Sequence, residues 1–174
     1  ANLSTVKNEV LDMPSSILED NNITSIGHSI GSLYGYVAEG IIQESDYNED
    51  GTYLHATQSL SAPGDLRFKD LNNDGNISAA DRTIIGKAIP DFSYSFGVDL
   101  FYKNLDFSIF FYGIEGAQVY NTQRRDLESF EFQDLDHNKS ADWTTNFYSE
   151  ENPSTEYLRL DPNDRNQNTR ISTW

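Results

Sequence analysis

Residues 70–81 read DLNNDGNISAAD, and oxygen-bearing side chains recur there at the spacing of a calcium loop. Asp70, Asn72, Asp74 and Ser78 take loop positions one, three, five and nine, with Gly75 at six, where the chain must turn sharply. Asn76 at seven would add its backbone carbonyl, and Asp81 closes the loop at twelve. Ca²⁺ is a hard cation that takes six to eight oxygens at about 2.3–2.6 Å, so the pattern predicts an EF-hand-like calcium loop with a structural ion. One residue departs from it: position twelve is Asp, one methylene shorter than the usual bidentate Glu. The competing reading is an Asx-rich turn held by its own side chains.

Other chemistry is thin. Asp46-Tyr47-Asn48-Glu49-Asp50-Gly51 repeats the first six positions, but Thr57 stands at twelve; Asp134-Leu135-Asp136-His137-Asn138 has Lys139 where glycine should be. Both read as solvated acidic turns. The histidines, His28, His55 and His137, are scattered without metal spacing. No nucleophile elbow or phosphate-cradling glycine loop occurs, so no catalytic residue is assigned and an enzyme is not expected. The chain has no cysteine, which excludes disulfides and zinc-thiolate sites. Acidic residues number 28 against 12 basic, a net charge of −16. A surface of that sign does not replace the counterions of DNA or RNA, so nucleic acid is not a partner.

The elements that must position the loop are strands. Residues 92–114, FSYSFGVDLFYKNLDFSIFFYGI, carry the strongest periodicity in the chain. Phe92, Tyr94, Phe96, Val98, Leu100 and Tyr102 fall on one face, and Ser93, Ser95, Gly97, Asp99 and Phe101 on the other. Lys103-Asn104 interrupts the run, and Asn104 tolerates the positive φ of a tight turn. Beyond it Leu105, Phe107, Ile109 and Phe111 rejoin the apolar face, opposite Asp106, Ser108 and Tyr112. The stretch is a β-hairpin with arms of about 10–11 residues, the length that crosses a bilayer at a tilt, whereas soluble strands average about 5–6. Residues 1–12 read as the end of another strand. Residues 26–43, with Gly27, Gly31, Gly35 and Gly40, form a glycine-bent β segment. Residues 13–91 and 115–174 otherwise read as long loops, ordered by Tyr34, Tyr36, Phe68, Phe130, Phe132 and Trp143.

The segments GSLYGYVAEGIIQ (31–43) and APGDLRFKDLNNDGNISAADRTIIGKAIPDFSYSFGVDLFYKNLDFSIFFYG (62–113) resemble the SusC/RagA family of TonB-dependent outer-membrane transporters. The resemblance rests on Ala62-Pro63-Gly64-Asp65, Lys69-Asp70-Leu71-Asn72, Asp81-Arg82-Thr83 and Pro90-Asp91-Phe92. It extends from ANLSTVKNEV to RISTW and weakens between 115 and 165. It implies an all-β fold: a segment from the C-terminal half of a large antiparallel transmembrane β-barrel of about 22 strands, with long extracellular loops. It also implies a fragment, since three spanning strands cannot close a barrel and open edges in lipid leave backbone groups unpaired.

On that reading 92–114 is the transmembrane hairpin and 13–91 and 115–174 are extracellular loop regions. Phe96, Val98, Phe107 and Ile109 would face lipid; Ser93, Ser95, Asp99, Asp106, Ser108 and Tyr112 would face the lumen. The implied partners are the remaining strands and plug of the same barrel, TonB through an N-terminal part, a SusD-like surface lipoprotein, and a glycan or peptide substrate. The implied place is the bacterial outer membrane. The alternative is a secreted calcium-stabilised β-domain that binds carbohydrate or protein, with the hairpin buried in a sandwich.

Overall fold

A computed structural model describes residues 1–19, 21–58, 60–128 and 138–173. They form two compact units, Ala1–Leu33 with Gly86–Val119, and Tyr34–Ile85 with Tyr120–Trp174. Strand dominates the first unit, the second combines short strands with short helical turns, and the protein is an all-β segment. Among the described residues no helix is long and apolar enough to cross a membrane.

The first unit is built on three antiparallel strands. Strand β1 (Asn2–Thr5) pairs with β8 (Phe92–Tyr102), which pairs along its whole length with β9 (Leu105–Glu115). Both arms of the hairpin are 11 residues long, because unbroken alternation of β-branched, aromatic and small residues leaves neither arm a reason to stop. The register opposes Phe96 to Phe111, Val98 to Ile109 and Leu100 to Phe107, so one face is continuous in apolar side chains. Phe96 and Phe111 stack with ring centroids 4.5 Å apart. Asp99 opposes Ser108, and Ser95 opposes Tyr112, on the other face. The turn is the expected two-residue one, but its left-handed residue is Lys103, at φ 55°, and not Asn104.

β1 is shorter than the 1–12 stretch. Leu3 pairs with Tyr94 and Thr5 with Phe92; the Val6 amide still reaches the Asp91 carbonyl at 2.9 Å, and the strand ends. Lys7, Asn8 and Glu9 then follow in succession. Asn8 instead anchors a loop, its side-chain oxygen accepting from the Ile30 amide at 2.9 Å and the Ser29 hydroxyl at 3.1 Å. The same unit holds a small meander of β2 (Ile17–Glu19), β3 (Asn22–Thr24) and the start of β4 (Ser32–Gly35).

In the second unit β5 (Ala38–Ile41) pairs with β6 (Leu66–Phe68) across a bulge between Ala38 and Gly40. The chain later adds β7 (Thr83–Gly86) and two short helices, α1 (Thr122–Glu128) and α2 (Ala141–Asn146). Those helices interrupt the loop expected over 115–174. Asn121 accepts from the Arg124 amide at 2.9 Å and Ser140 from the Trp143 amide at 3.3 Å, so each helix starts on a side-chain cap.

The core of this unit joins Tyr36, Ile41, Leu66, Phe68, Tyr148 and Leu158. Trp143 is also buried and Tyr34 half-buried, so the four described aromatics expected to order the loops are covered. Phe130 and Phe132 lie outside the described residues. The end of the chain closes this core. Tyr36 donates to the Ile171 carbonyl at 2.8 Å and Thr173 to the Tyr36 carbonyl at 3.1 Å. A Cβ on Gly35 would stand 2.3 Å from that same Ile171 oxygen, so only glycine admits the approach.

Candidate functional site

The 70–81 loop is folded by its own polar side chains. Asp70 accepts from the Asn73 amide at 2.7 Å and the Gly75 amide at 2.8 Å. Asp74 accepts from the Asn76 amide at 2.8 Å and from the Asn72 side-chain amide at 2.9 Å. Asn73 and Gly75 take positive φ, 58° and 81°, and make the sharp turn that position six requires. Thr57 then clamps the loop, donating to the Gly75 carbonyl at 2.8 Å and accepting from the Ile77 amide at 3.0 Å. That ladder bypasses the carbonyl of Asn76, the one backbone oxygen the pattern assigns to a cation.

Asp81 is the loop's buried corner, with 0% exposure. Its carboxylate collects the Leu71 amide at 2.9 Å and the Ser78 amide at 2.8 Å. Burial pushes this carboxyl up, but the amides of Ser78, Leu71 and Asn72 outweigh burial and hold it below the ordinary aspartate value. Ser78 caps the 3₁₀ turn Ala79–Asp81, accepting from the Ala80 amide at 3.1 Å. Asp70, Asn72, Asp74, Asn76, Ser78 and Asp81 thus belong to one closed loop. Among the described residues no three His, Asp or Glu side chains gather closely enough to hold a metal by themselves. The donor set here mixes carboxylate, amide, hydroxyl and backbone oxygens, a composition that suits Ca²⁺ and does not suit softer metals.

A polar network that sequence reasoning missed lies nearby in the same unit. Asp65 is fully buried and receives Arg159 in a bidentate pair, Nε to Oδ1 at 2.7 Å and Nη2 to Oδ2 at 3.0 Å. Arg159 also reaches Asp161 at 2.9 Å. Asn168 donates to Asp65 at 2.9 Å and accepts from the Leu66 amide at 2.8 Å, while Gln58 bonds both the Leu66 carbonyl at 2.8 Å and the Phe68 amide at 2.6 Å. These side chains take the place of a neighbouring strand along the edge of β6. Gly64, at φ 90°, lies under Tyr148 and Arg159, 2.5 Å and 2.6 Å from where a Cβ would sit. Burial works to raise the Asp161 carboxyl, but donors from Asn163, Arg165 and Arg159 hold it below the ordinary value. The run Asp161-Pro162-Asn163-Asp164-Arg165-Asn166-Gln167-Asn168 that supplies most of these groups has the composition of an ordinary surface loop and carries no signal of burial.

The histidines divide. His28 is exposed, and His137 and most of the 134–139 echo lie outside the described residues. His55 stands 3.1 Å from Asp46, which also receives Arg67 at 3.3 Å. Asp46 is therefore ion-paired and mostly covered, while residues 48–51 form an exposed turn as expected, closed by the Gly51 amide donating to the Asn48 carbonyl at 2.9 Å. The Asp46 carboxyl accepts from the Gln43 amide at 2.9 Å.

The lumen candidates Ser93, Ser95, Asp99, Asp106, Ser108 and Tyr112 do share one face of the hairpin, and Asp99 accepts from the Ser108 hydroxyl. The lipid candidates Phe96, Val98, Phe107 and Ile109 share the opposite face, open to the surroundings. The hairpin is thus long and paired throughout, with one uninterrupted apolar face that no second sheet covers among the described residues.

No protein-family model matches the chain. Curated relatives do. TonB-dependent receptor P3 of Formosa agariphila is 34% identical over 140 residues, covering 74% of this chain and 14% of the receptor. Receptor P26 of the same organism is 32% identical over 133 residues, covering 71% of this chain and 13% of its own length. Receptor P39 is 28% identical over 152 residues, covering 68% and 15%. The chain belongs to the TonB-dependent receptor family, whose membership implies a β-barrel. It spans about 13–15% of the length of these relatives.

Proposed function

We propose that this chain is part of the wall and loops of a TonB-dependent importer of SusC/RagA type in the bacterial outer membrane. The importer takes up glycans or peptides under a SusD-like surface lipoprotein and draws its energy from TonB. The chain is then a transport component and not an enzyme. The observation that carries this reading is the hairpin: two 11-residue strands whose continuous apolar face stays exposed among the described residues, in a chain 34% identical to a TonB-dependent receptor. A soluble sandwich would bury that face, whereas a bilayer covers it. The resemblance at Ala62–Asp65 and Asp81–Thr83 supports the SusC/RagA branch.

Within that reading the second unit supplies extracellular structure. Its bidentate Arg159–Asp65 pair and capped helices hold loop residues in one arrangement. Loops that meet a lid or a substrate need that rigidity, because ordering them on binding would cost affinity. The 70–81 loop would hold Ca²⁺ through Asp70, Asn72, Asp74, Ser78, Asp81 and the Asn76 carbonyl, and the ion would cross-link the carboxylates.

The test uses the absence of cysteine in this stretch. In a cysteine-free form of the full-length receptor, cysteine is placed at Leu54, in the loop region, or at Lys103, in the hairpin turn. A membrane-impermeant maleimide should label Leu54→Cys on intact cells and Lys103→Cys only after the outer membrane is opened. Equal labelling at both positions rejects the topology. Deleting the receptor should abolish growth on one oligosaccharide or peptide source, and unchanged growth on all of them rejects import of either class.

A further inference from the structure

Residues 54–58 tie three parts of the second unit together. At the start of this run the Leu54 amide donates to the Asp46 carbonyl at 2.9 Å. His55 Nε2 stands 3.1 Å from Asp46 Oδ1 and 3.3 Å from Arg67 Nη1. In the middle Thr57 makes its two backbone bonds to the 70–81 loop, pairing in parallel with Asn76. At the end buried Gln58 donates to the Leu66 carbonyl at 2.8 Å and accepts from the Phe68 amide at 2.6 Å. The run is a strap, pinned to β6 at one end and to Asp46 at the other, with the loop held between.

The loop backbone under the strap is two-sided. The Gly75 carbonyl and the Ile77 amide face Thr57, while the Asn76 amide turns the other way and donates to Asp74 Oδ1 at 2.8 Å. Across a planar trans peptide the C=O and N–H point in opposite directions, so the Asn76 carbonyl also faces away from the strap. One peptide group therefore serves both neighbours. Its carbonyl is the backbone oxygen that the calcium pattern requires, and its N–H is the donor that Thr57 accepts at 3.0 Å. A cation on the carbonyl fixes the plane of that group and polarises its N–H, which strengthens the bond to Thr57. Ile77 packs against the core, so the backbone beneath the strap is anchored by its side chain as well.

Beyond the strap lies a turn with an exposed tip. Tyr47 and Tyr53 pair with their rings 5.0 Å apart, the Asn48 amide donates to the Thr52 carbonyl at 2.9 Å, and residues 48–52 are open to solvent. We infer that the peptide group between Asn76 and Ile77 couples the ion site to this turn through Thr57, Leu54 and His55. Calcium in the 70–81 loop then orders residues 46–54, and loosening that turn weakens calcium binding in return, since coupling between sites is reciprocal. The device lets calcium set the order of a surface turn. The inference rests on the calcium reading of 70–81 and adds where the effect of the ion goes.

The experiment is amide hydrogen exchange on the full-length receptor in detergent, with calcium and with chelator, beside calorimetric titration of calcium. The binding event of this loop is the one that Asp74→Ala abolishes. In the wild type, calcium should slow exchange at least about fivefold in 70–81 and in 46–57, the lower end of ordinary coupling. Exchange in α2, in the same unit, should stay as it was. If Asp74→Ala abolishes no binding event, the calcium reading falls and the coupling falls with it. A binding event that slows 70–81 but not 46–57 overturns the coupling alone. Equal slowing in α2 also overturns it, because that marks general stabilisation. His55→Ala lies outside the loop and frees the turn from Asp46, so it should raise the calcium dissociation constant about fivefold. An unchanged constant in that variant overturns the inference.

Discussion

The ring of Tyr94 lies across Gly113, its cross-strand partner, so closely that a Cβ on Gly113 would stand 2.3 Å from the Tyr94 Cζ. Glycine inside a strand exposes backbone and gives nothing to pack, which weakens the pairing. Here the aromatic ring fills the gap and shields the backbone, as aromatic residues do opposite glycine in sheets. Tyr94 sits in the outer half of the hairpin on the apolar face, where an amphipathic ring with a polar tip suits the edge of a bilayer. The pair therefore helps hold the register set by the two-residue turn, beside the Phe96–Phe111 stack.

The two residues should behave as a unit. Gly113→Val pushes the ring off its seat and should destabilise the receptor by about 1 kcal/mol, the scale of one strong cross-strand pair. Tyr94→Ala should cost a similar amount. In denaturant titrations of refolding into vesicles, the double variant should lose less than the two single losses added. Full additivity would show that ring and glycine do not interact.

Charge placed on the hairpin's apolar face should be punished, whereas charge at an exposed position outside the strands should not. Val98→Arg puts a guanidinium among Phe96, Ile109 and Leu100 and should cost about 2–4 kcal/mol if residue 98 lies near the bilayer midplane. Leu11→Arg, at an exposed position outside the strands, should be close to neutral. The comparison is read from refolding yield and denaturant midpoint. A neutral Val98→Arg would put another surface of the hairpin against lipid.

The hairpin was legible because period two survives for 11 residues on each side of the turn, and nothing tertiary was needed to break the tie. Its turn was legible in length but not in detail. Lys103 and not Asn104 takes the left-handed conformation, a choice made by strand twist and closure and not by residue preference alone. Helices α1 and α2 were not legible: at seven and six residues they are too short for a 3.6-residue pattern to show, and only Asn121 and Ser140 announce them. The loop at 70–81 could be read because its partners are close in sequence. Asp65 and Arg159 could not be paired in advance, because 94 residues separate them and each looks like one more charge in a chain full of them.

That pair makes the next expectation. Removing Asp65 by Asp65→Ala leaves Arg159 half-buried beside Asp161 alone and deprives Asn168 of an acceptor, which should cost about 3–5 kcal/mol. The network should also make the second unit acid-sensitive. The carboxyl of Asp161 is held below its ordinary value in the fold, so its contribution is complete above the unfolded value of about 3.9 and fades as pH falls through the lower folded value. Melting of the wild type should therefore drop on acidification below about pH 4, and Asp161→Asn should flatten that part of the curve. An unchanged slope in the variant would mean that other carboxylates set the acid limit.

The last expectation concerns the ion. Asp70, Asp74 and Asp81 bring three carboxylates into one short loop, and Asp81 is buried under it. Amide donors from Asn73, Gly75, Asn76, Leu71 and Ser78 orient these groups, but amides carry only partial charge. A divalent cation would supply full charge, draw the carboxylates together and use the Asn76 carbonyl that the Thr57 clamp leaves aside. Binding to the folded state alone raises stability by mass action, about 2.7 kcal/mol when free calcium is a hundred times its dissociation constant. The receptor should then melt higher with calcium than with a chelator, and titration should give one binding event for this loop. Asp74→Ala removes a ligand from the exposed side without disturbing buried Asp81, so it should abolish that event and lose the calcium-dependent rise in melting, while the two hydrogen bonds it also removes lower the chelated melt only slightly. A wild-type melt indifferent to chelator, with no binding heat at millimolar calcium, would reduce 70–81 to a turn held by Asx hydrogen bonds.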